Sequence, residues 1–259
     1  KKYEHLIIAT PSRRKMNQMY YDQVFPDAVV YPAIMGSNLD IETVNVTEHA
    51  KKLIINNYRN YDEEMNNINS IGCALSHYNA WKRCIEIDSP IFIMEDDVKL
   101  KVNKISDSRF LELFHLLSDD NSIIYLLSLA HSINFSYKHK KLIKDNDSDR
   151  FLTSKTNLGC IGTQLYIITP KVAKLLVKNF FPIAFHVDYY IMSQIMEYNI
   201  KLHIQSKEKL LFKFDNDVII KKTANSNLYK KPKMTRKRVK IKRLIKRMIH
   251  LQEDISRHK

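Results

Sequence analysis

The sequence has 259 residues, of which 44% are hydrophobic and 10% aromatic, enough to bury one sizeable core. This excludes a chain that is disordered throughout, and only four glycines exclude collagen-like chains and glycine-loop nucleotide-binding motifs. The net charge of +14 is concentrated in residues 229–250, which contain eleven Lys or Arg and no acid. The rest of the chain contains 31 basic and 28 acidic residues, so it is nearly neutral. We therefore expect a nearly neutral domain over residues 1–228 and a basic tail over residues 229–259.

The apolar runs and the cysteines indicate the compartment. No run approaches the roughly 20 apolar residues that cross a bilayer, and the first residues do not resemble a secretion signal. The three cysteines, Cys73, Cys84 and Cys160, form no C-x-x-C pair, which is typical of a reducing compartment. We therefore expect a cytoplasmic protein.

The first part of the chain predicts a strand, a helix and a second strand. Leu6–Ala9 is a short apolar run that indicates a buried strand, and the polar stretch Ser12–Gln23 has helical character. Val29–Ile34 is a second strand-like run, in which Pro32 indicates an edge position or a short strand. Residues 36–70 are polar and rich in Asn, and we expect loops and one short helix there.

The clearest helix covers Ala74–Ile87, because apolar residues recur along it every three or four positions. The apolar run Ile91–Met94 follows and is typical of a central parallel strand. This run ends abruptly in three acids, Glu95, Asp96 and Asp97. The sequence therefore predicts a group of carboxylates at the carboxyl end of a buried strand.

The next segments continue the alternation of helices and strands. In chain order they are a helix at Phe110–Leu117, a strand at Ile123–Leu129, a charged and flexible insertion at Ser136–Asn157, a strand at Gln164–Ile168, a helix with Thr169 as N-cap and Pro170 in its first turn, and a helix at Asp188–Tyr198. Such an alternation over about 200 residues predicts an α/β fold, with a mostly parallel sheet flanked by helices.

The three acids favour a divalent cation. Adjacent carboxylates repel one another unless a cation or a hydrogen-bond network neutralises them. Oxygen ligands suit Mg²⁺ or Mn²⁺, and ligands of open α/β sheets bind beyond the carboxyl ends of the strands. The alternative is an acidic loop that caps the next turn.

Two further segments offer polar groups to the same region. The first is Gly72–His77, at the predicted start of a helix. Its backbone amides and the side chains of Ser76 and His77 could bind a phosphate or another polar ligand. The alternative for His77 is a capping or core residue. Asp188 is a candidate general base or simply an N-cap, and His186 is a candidate metal or phosphate ligand.

Four ordered motifs resemble those of glycosyltransferase family 25, which includes bacterial lipooligosaccharide β-1,4-galactosyltransferases and collagen galactosyltransferases. They are Gly72–His77 with Trp81, Pro90–Val98, Gly162–Ala173 and Val187–Asp188. The likeness runs from Leu6 to Lys201, and Ser12–Arg14 resembles the family's basic turn after the first strand.

The resemblance implies a GT-A-like fold and an inverting transferase that uses a sugar nucleotide, with UDP-galactose as the expected donor and Mn²⁺ or Mg²⁺ as the expected cofactor. It implies Asp97 as the direct metal ligand within Glu95–Asp97 and Asp188 as the catalytic base. Glu95 and His186 are expected as further metal ligands. The residues expected to bind the donor are Thr10, Arg13, Arg14, Ser76, His77, Glu95, Asp96, Thr163 and Gln164. The expected acceptor is an oligosaccharide or lipid-linked glycan in lipooligosaccharide, lipopolysaccharide or surface-glycan synthesis; the alternative is a collagen-type hydroxylysine.

The tail predicts a basic amphipathic C-terminal helix, with apolar residues at helical spacing and Lys or Arg on the other faces. We expect residues 233–250 to bind an anionic membrane surface, as a peripheral attachment to the inner leaflet. One alternative is a non-enzymatic nucleic-acid binder, which the nearly neutral body and the lack of a nucleic-acid motif disfavour. Another is a catalytically idle relative, which the retained acids disfavour.

Overall fold

The computed structural model describes residues 3–57, 65–100, 117, 120–127, 151–154, 162–205 and 212–214. Within them the expected α/β fold is confirmed: a mostly parallel sheet is flanked by helices. The predicted helix at Phe110–Leu117 apart from its last residue, most of the predicted insertion and the whole basic tail lie outside the described residues. The expected division between residues 228 and 229 also lies there and stays a prediction.

Seven of the described strands form one mixed sheet. They are β1 (Glu4–Ala9), β2 (Val29–Pro32), β3 (Ile91–Glu95), β5 (Ser122–Leu127), β6 (Phe151–Ser154), β7 (Leu165–Ile168) and β8 (Lys201–Gln205), in the order β2-β1-β3-β7-β5-β8-β6. The pairs of β1 with β2, β1 with β3 and β5 with β8 are parallel, whereas β7 and β6 run antiparallel to their neighbours. β4 (Val98–Leu100) and β9 (Phe212–Phe214) form a separate antiparallel pair.

Five described helices accompany these strands. They are α1 (Pro11–Val24), α2 (Glu48–Ile55), α3 (Ile68–Glu86), α4 (Pro170–Lys178) and α5 (Val187–Glu197). The predicted cap of α4 is confirmed, because Thr169 Oγ1 accepts a hydrogen bond from the Val172 amide at 3.2 Å and Pro170 is the first helical residue. No helix among the described residues combines the length and the apolar character needed to span a membrane.

The central strands bury both faces, as their continuous apolar runs predict. Phe92 and Met94 of β3 belong to a core cluster that also contains Tyr21 of α1. Because successive strand side chains point to opposite faces, Ile93 and Glu95 lie on the other side of the sheet. That side carries α3, which is tied to β1 by an ion pair between Arg83 and Glu4 at 2.9 Å. The alternation therefore directs Glu95 towards α3.

The antiparallel direction of β7 places the segment before it beside the acids. Met94 of β3 pairs with Leu165, and the Glu95 amide donates to the Gln164 carbonyl oxygen at 2.9 Å. β7 therefore begins at the edge where β1 and β3 end, and residues 162–164 lie next to the carboxyl ends of the parallel strands.

The structure corrects three boundaries. α3 begins at Ile68 rather than Ala74, because Asn67 Oδ1 caps it by accepting from the Asn69 amide at 2.8 Å. Gly72–His77 therefore lies inside the helix, and its amides do not form a helix N-terminus. Part of the segment predicted as a flexible insertion, Phe151–Ser154, forms β6 because it pairs with β8. α5 begins one residue before the predicted start, with His186 rather than Asp188 as its N-cap.

Candidate functional site

Glu95 is the centre of a hydrogen-bonded cluster at the end of β3. Its Oε1 accepts a hydrogen bond from Thr163 Oγ1 at 2.7 Å and lies 3.3 Å from His77 Nε2. His77 is fully buried and Thr163 is nearly so, whereas Glu95 is half-buried. Residues of α3 and of the segment before β7 thus hold the Glu95 carboxylate in place at the carboxyl end of β3.

A buried chain of hydrogen bonds lies behind Glu95. Tyr166 Oη is 2.8 Å from His77 Nδ1 and accepts a hydrogen bond from Trp81 Nε1 at 2.9 Å. Burial raises the pKa of Tyr166 well above its ordinary value, so the phenol keeps its proton and can donate it to His77 Nδ1. An ionised Glu95 only accepts, which assigns the imidazole hydrogen to Nε2. The chain therefore runs from Trp81 through Tyr166 and His77 to Glu95.

Asp96 joins the turn after β3 to the turn after β1. Its Oδ2 accepts hydrogen bonds from the Thr10 amide at 2.8 Å and from Thr10 Oγ1 at 2.9 Å. Thr10 is the N-cap of α1, and its hydroxyl donates to Asp96 instead of capping the helix. Asn17 of α1 reinforces the link, since its Nδ2 donates to the Asp96 carbonyl oxygen at 3.4 Å. The carboxyl ends of two adjacent parallel strands are therefore held together.

Asp97 completes the acidic turn between β3 and β4, and only 8% of it is exposed. Glu95 and Asp96 face different partners, since Glu95 contacts Thr163 whereas Asp96 contacts Thr10. Carboxylate oxygens are the ligands that Mg²⁺ and Mn²⁺ prefer. Asp97 and Glu95 therefore stay the predicted ligands of such an ion.

Asp188 is a half-buried carboxylate that contacts the segment before β7. Its Oδ2 accepts a hydrogen bond from the Gly162 amide at 3.0 Å. Burial raises the pKa of Asp188 above its ordinary value of 3.8, and the Gly162 amide and His186 act against that rise. A carboxyl group with a raised pKa is a stronger proton acceptor than an ordinary aspartate.

Gly162 is required where it stands. Its φ of +98° is unfavourable for any residue with a side chain, and an added Cβ would lie 2.3 Å from Gln164 Oε1. Because Gly162 has no side chain, the side-chain amide of Gln164 can pack against its backbone. The backbone amide of Gly162 donates at the same time to Asp188. Gln164 is itself 8% exposed.

The first turn of α1 carries cations. Arg13 is half-buried and Arg14 is exposed, and no acid occupies this turn. The positive end of a helix dipole ordinarily favours acids, so basic residues there are favourable only when an anion is present. Thr10 ties the start of α1 to Asp96, so the turn that carries the arginines begins beside the acids.

The structure brings most of the predicted site residues to one edge of the sheet. Glu95, His77 and Thr163 are in direct contact, Asp96 contacts Thr10, and Asp188 joins them through Gly162. These predicted roles in donor, metal and proton chemistry stay predictions.

Ser76 and His186 have other contacts. The Ser76 hydroxyl donates to the Gly72 carbonyl oxygen at 2.7 Å and accepts from the Ile34 amide at 2.8 Å, which holds the chain after β2 against α3. Gly72 allows this approach, because a Cβ there would lie 2.3 Å from the Ile34 carbonyl oxygen. His186 is the N-cap residue of α5, and its proposed role as a metal ligand is untested.

Tyr166, Gly162 and Cys73 are site residues that were not predicted from the sequence. Alternation along β7 puts Tyr166 on the same sheet face as Glu95. This proximity follows from the sequence only if the pairing of β3 with β7 is known. Cys73 is four residues before His77 on α3, a spacing that places both on one helix face.

The protein-family model described as "Glycosyltransferase family 25 (LPS biosynthesis protein)" matches residues 9–191, more than two thirds of the chain. The chain belongs to glycosyltransferase family 25. The region that matches family 25 contains every site residue predicted above, from Thr10 to Asp188.

A relative from Drosophila melanogaster agrees with this membership. The protein named "Glycosyltransferase 25 family member" is 27% identical to this chain over 92 residues. The similarity covers 35% of this chain and 15% of the Drosophila protein, so this family 25 chain spans a small part of that relative's length.

Proposed function

We propose that this protein transfers a sugar from a sugar nucleotide, UDP-galactose, to a hydroxyl group of a glycan acceptor with inversion at the anomeric carbon. Membership of family 25 supports glycosyl transfer. The observation that carries the proposal is the acidic turn Glu95–Asp97, bonded to the α1 turn on one side and to residues 162–164 on the other. We propose lipooligosaccharide, lipopolysaccharide or surface-glycan synthesis as its setting, in line with the family's description.

The donor diphosphate is the anion for which the α1 turn is suited. Arg13 and Arg14 supply positive charge at the helix N-terminus, where backbone amides also favour phosphate. Thr10 and Asp96 hold this turn beside the acids. Asp97 and Glu95 would hold Mn²⁺ or Mg²⁺, which when bound offsets the negative charge of the leaving diphosphate.

Asp188 is the proposed general base. In an inverting transfer, the acceptor oxygen forms a bond to the anomeric carbon while the bond from that carbon to the diphosphate oxygen breaks, and UDP leaves. The acceptor hydroxyl loses its proton in this step, and Asp188 takes it. The Gly162 amide keeps Oδ2 oriented at 3.0 Å, and burial raises the pKa of the carboxyl group, which makes it a stronger base.

The hydrogen-bonded chain behind Glu95 has a positioning role in this proposal. Trp81, Tyr166 and His77 are all fully buried, so their geometry is set by packing. Each hydrogen bond in the chain restricts the next, which leaves Glu95 with a single orientation at the sheet edge. Pre-organised groups of this kind stabilise a transition state without having to rearrange during the reaction.

Release of UDP from the purified protein tests this proposal. With UDP-galactose, a glycan acceptor and Mn²⁺, we expect turnover that a chelator removes and that Asp97→Ala lowers by about 10²-fold or more, the loss of several kcal/mol of charge stabilisation. Asp22→Ala, at an exposed position on α1, is the control and should leave the rate unchanged. Turnover by Asp97→Ala equal to that of the parent would contradict the role of Asp97, and no turnover of any sugar nucleotide would contradict the function.

We propose in addition that the basic tail attaches the enzyme to the cytoplasmic leaflet, where lipid-linked acceptors are found. The sequence of residues 233–250 supports this, because each Lys or Arg near an anionic surface contributes about 1 kcal/mol of binding. Deleting residues 234–259 should abolish cosedimentation with vesicles that contain anionic lipid, while UDP release with a soluble acceptor persists. Equal vesicle binding by the full and shortened chains would rule out this attachment.

A further inference from the structure

A cysteine, a histidine and a glutamate meet on the α3 side of the sheet. Cys73 and His77 are four residues apart on α3 and share one helix face. Cys73 Sγ, a His77 ring nitrogen and a Glu95 carboxylate oxygen lie within 4.8 Å of one another. We propose that these three side chains form a binding site for Zn²⁺, which shares Glu95 with the site proposed for Mn²⁺ or Mg²⁺ and differs from it by its sulfur ligand.

The separation between the histidine and the glutamate is that of a tetrahedral zinc site. Bonds of about 2.0–2.3 Å to nitrogen, oxygen and sulfur put neighbouring ligand atoms about 3.3–3.7 Å apart. His77 Nε2 and Glu95 Oε1 are already 3.3 Å apart. The sulfur of Cys73 lies within 4.8 Å of the other two ligand atoms, so a small movement of this half-buried side chain would complete the site.

The hydrogen bonds around the three ligands are a second, independent observation. A histidine that binds a metal through one nitrogen ordinarily has a hydrogen-bond partner on the other, and ligating carboxylates also have partners of their own. Tyr166 Oη lies 2.8 Å from His77 Nδ1, and Thr163 Oγ1 donates to Glu95 at 2.7 Å. The groups that orient a zinc-binding histidine and carboxylate are therefore in place.

The ligand types select the metal. A thiolate and an imidazole favour Zn²⁺ over Mg²⁺, Ca²⁺ or Mn²⁺, which prefer oxygen ligands. Three protein ligands leave a fourth position for water or for a substrate group, as in zinc sites that are not purely structural. Each of the three side chains thus has the chemistry that zinc requires.

Binding requires a defined movement of protons. The Cys73 thiol loses its proton to solvent, and Glu95 binds in its ionised form. His77 gives up the hydrogen on Nε2 and carries one on Nδ1, where it is donated to Tyr166 Oη. The phenol oxygen can accept it beside the hydrogen bond from Trp81, since it offers two lone pairs.

Cobalt provides a direct test, because Co²⁺ takes the place of Zn²⁺ and a thiolate bound to cobalt absorbs in the near ultraviolet. The metal-free full chain, titrated with Co²⁺, should develop this charge-transfer band together with the visible bands of four-coordinate cobalt, and Zn²⁺ should remove both. Cys73→Ser should abolish the charge-transfer band and weaken cobalt binding at least tenfold. Its circular dichroism should match that of the parent.

Cys84→Ser is the matched control. Cys84 is fully buried, its Sγ donates to the Ser89 carbonyl oxygen at 3.3 Å, and burial raises its thiol pKa to about 12, so it does not supply a thiolate. This variant, and Cys160→Ser, should keep the band at full intensity. The absence of the band in the parent chain, or a band that survives Cys73→Ser, would overturn the proposal. The experiment measures metal binding, so the zinc proposal is tested separately from the proposed sugar transfer.

Discussion

Asp188→Asn is expected to lower kcat for sugar transfer by about 10²–10⁴-fold, the usual contribution of a positioned general base. The amide occupies the same volume and its oxygen can still accept from the Gly162 amide, so the fold and donor affinity should change little. We expect the thermal midpoint to stay within about 4 °C of the parent, which corresponds to about 1 kcal/mol. Steady-state kinetics, donor titration and a melting curve measure the three quantities.

The dependence on pH separates this role from a structural one. A base acts only when ionised, so kcat/KM of the parent should fall as the pH decreases through the pKa of Asp188, which burial places above 3.8. Asp188→Asn should lose this acid limb. The folded state binds this proton more tightly than the unfolded chain, so ionisation of Asp188 lowers stability as the pH rises through its pKa. Full activity in Asp188→Asn, with the acid limb retained, would exclude Asp188 as the base.

Tyr166→Phe is expected to lower the free energy of unfolding by about 2–5 kcal/mol. The hydroxyl contacts both Trp81 Nε1 and His77 Nδ1, and its removal leaves two buried polar atoms without that partner at about 1–3 kcal/mol each. Urea denaturation measures the change. We also expect slower sugar transfer, because His77 no longer has the contact that orients it towards Glu95.

Tyr190→Phe is the matched control for this prediction. Tyr190 is also a buried tyrosine, but its hydroxyl makes one bond, to the Leu176 carbonyl oxygen at 2.6 Å. Its loss should lower the unfolding free energy by about 1 kcal/mol and leave transfer unchanged. If both variants were destabilised equally, the hydrogen-bonded chain would have no special contribution.

The elements predicted correctly are those with a strong local pattern. The apolar run before Glu95 is β3, and the Thr169-Pro170 pair begins α4, because a cap and a first-turn proline act within a few residues. β6 was missed because a four-residue edge strand is defined by its partner β8, which is about 50 positions away. The start of α3 was missed because the polar residues after Asn67 obscure the helical periodicity, although Asn67 itself is a good cap.

The sequence by itself determined which elements and groups this protein contains: an α/β alternation, three acids at a strand end, a basic tail and the motifs of family 25. Only the tertiary structure decided which groups meet. His77 reaches Tyr166 across 89 positions, and Asp188 reaches Gly162 across 26. These contacts depend on strand order, on the antiparallel direction of β7 and on which face each side chain takes, and a local pattern carries no information about the partner strand.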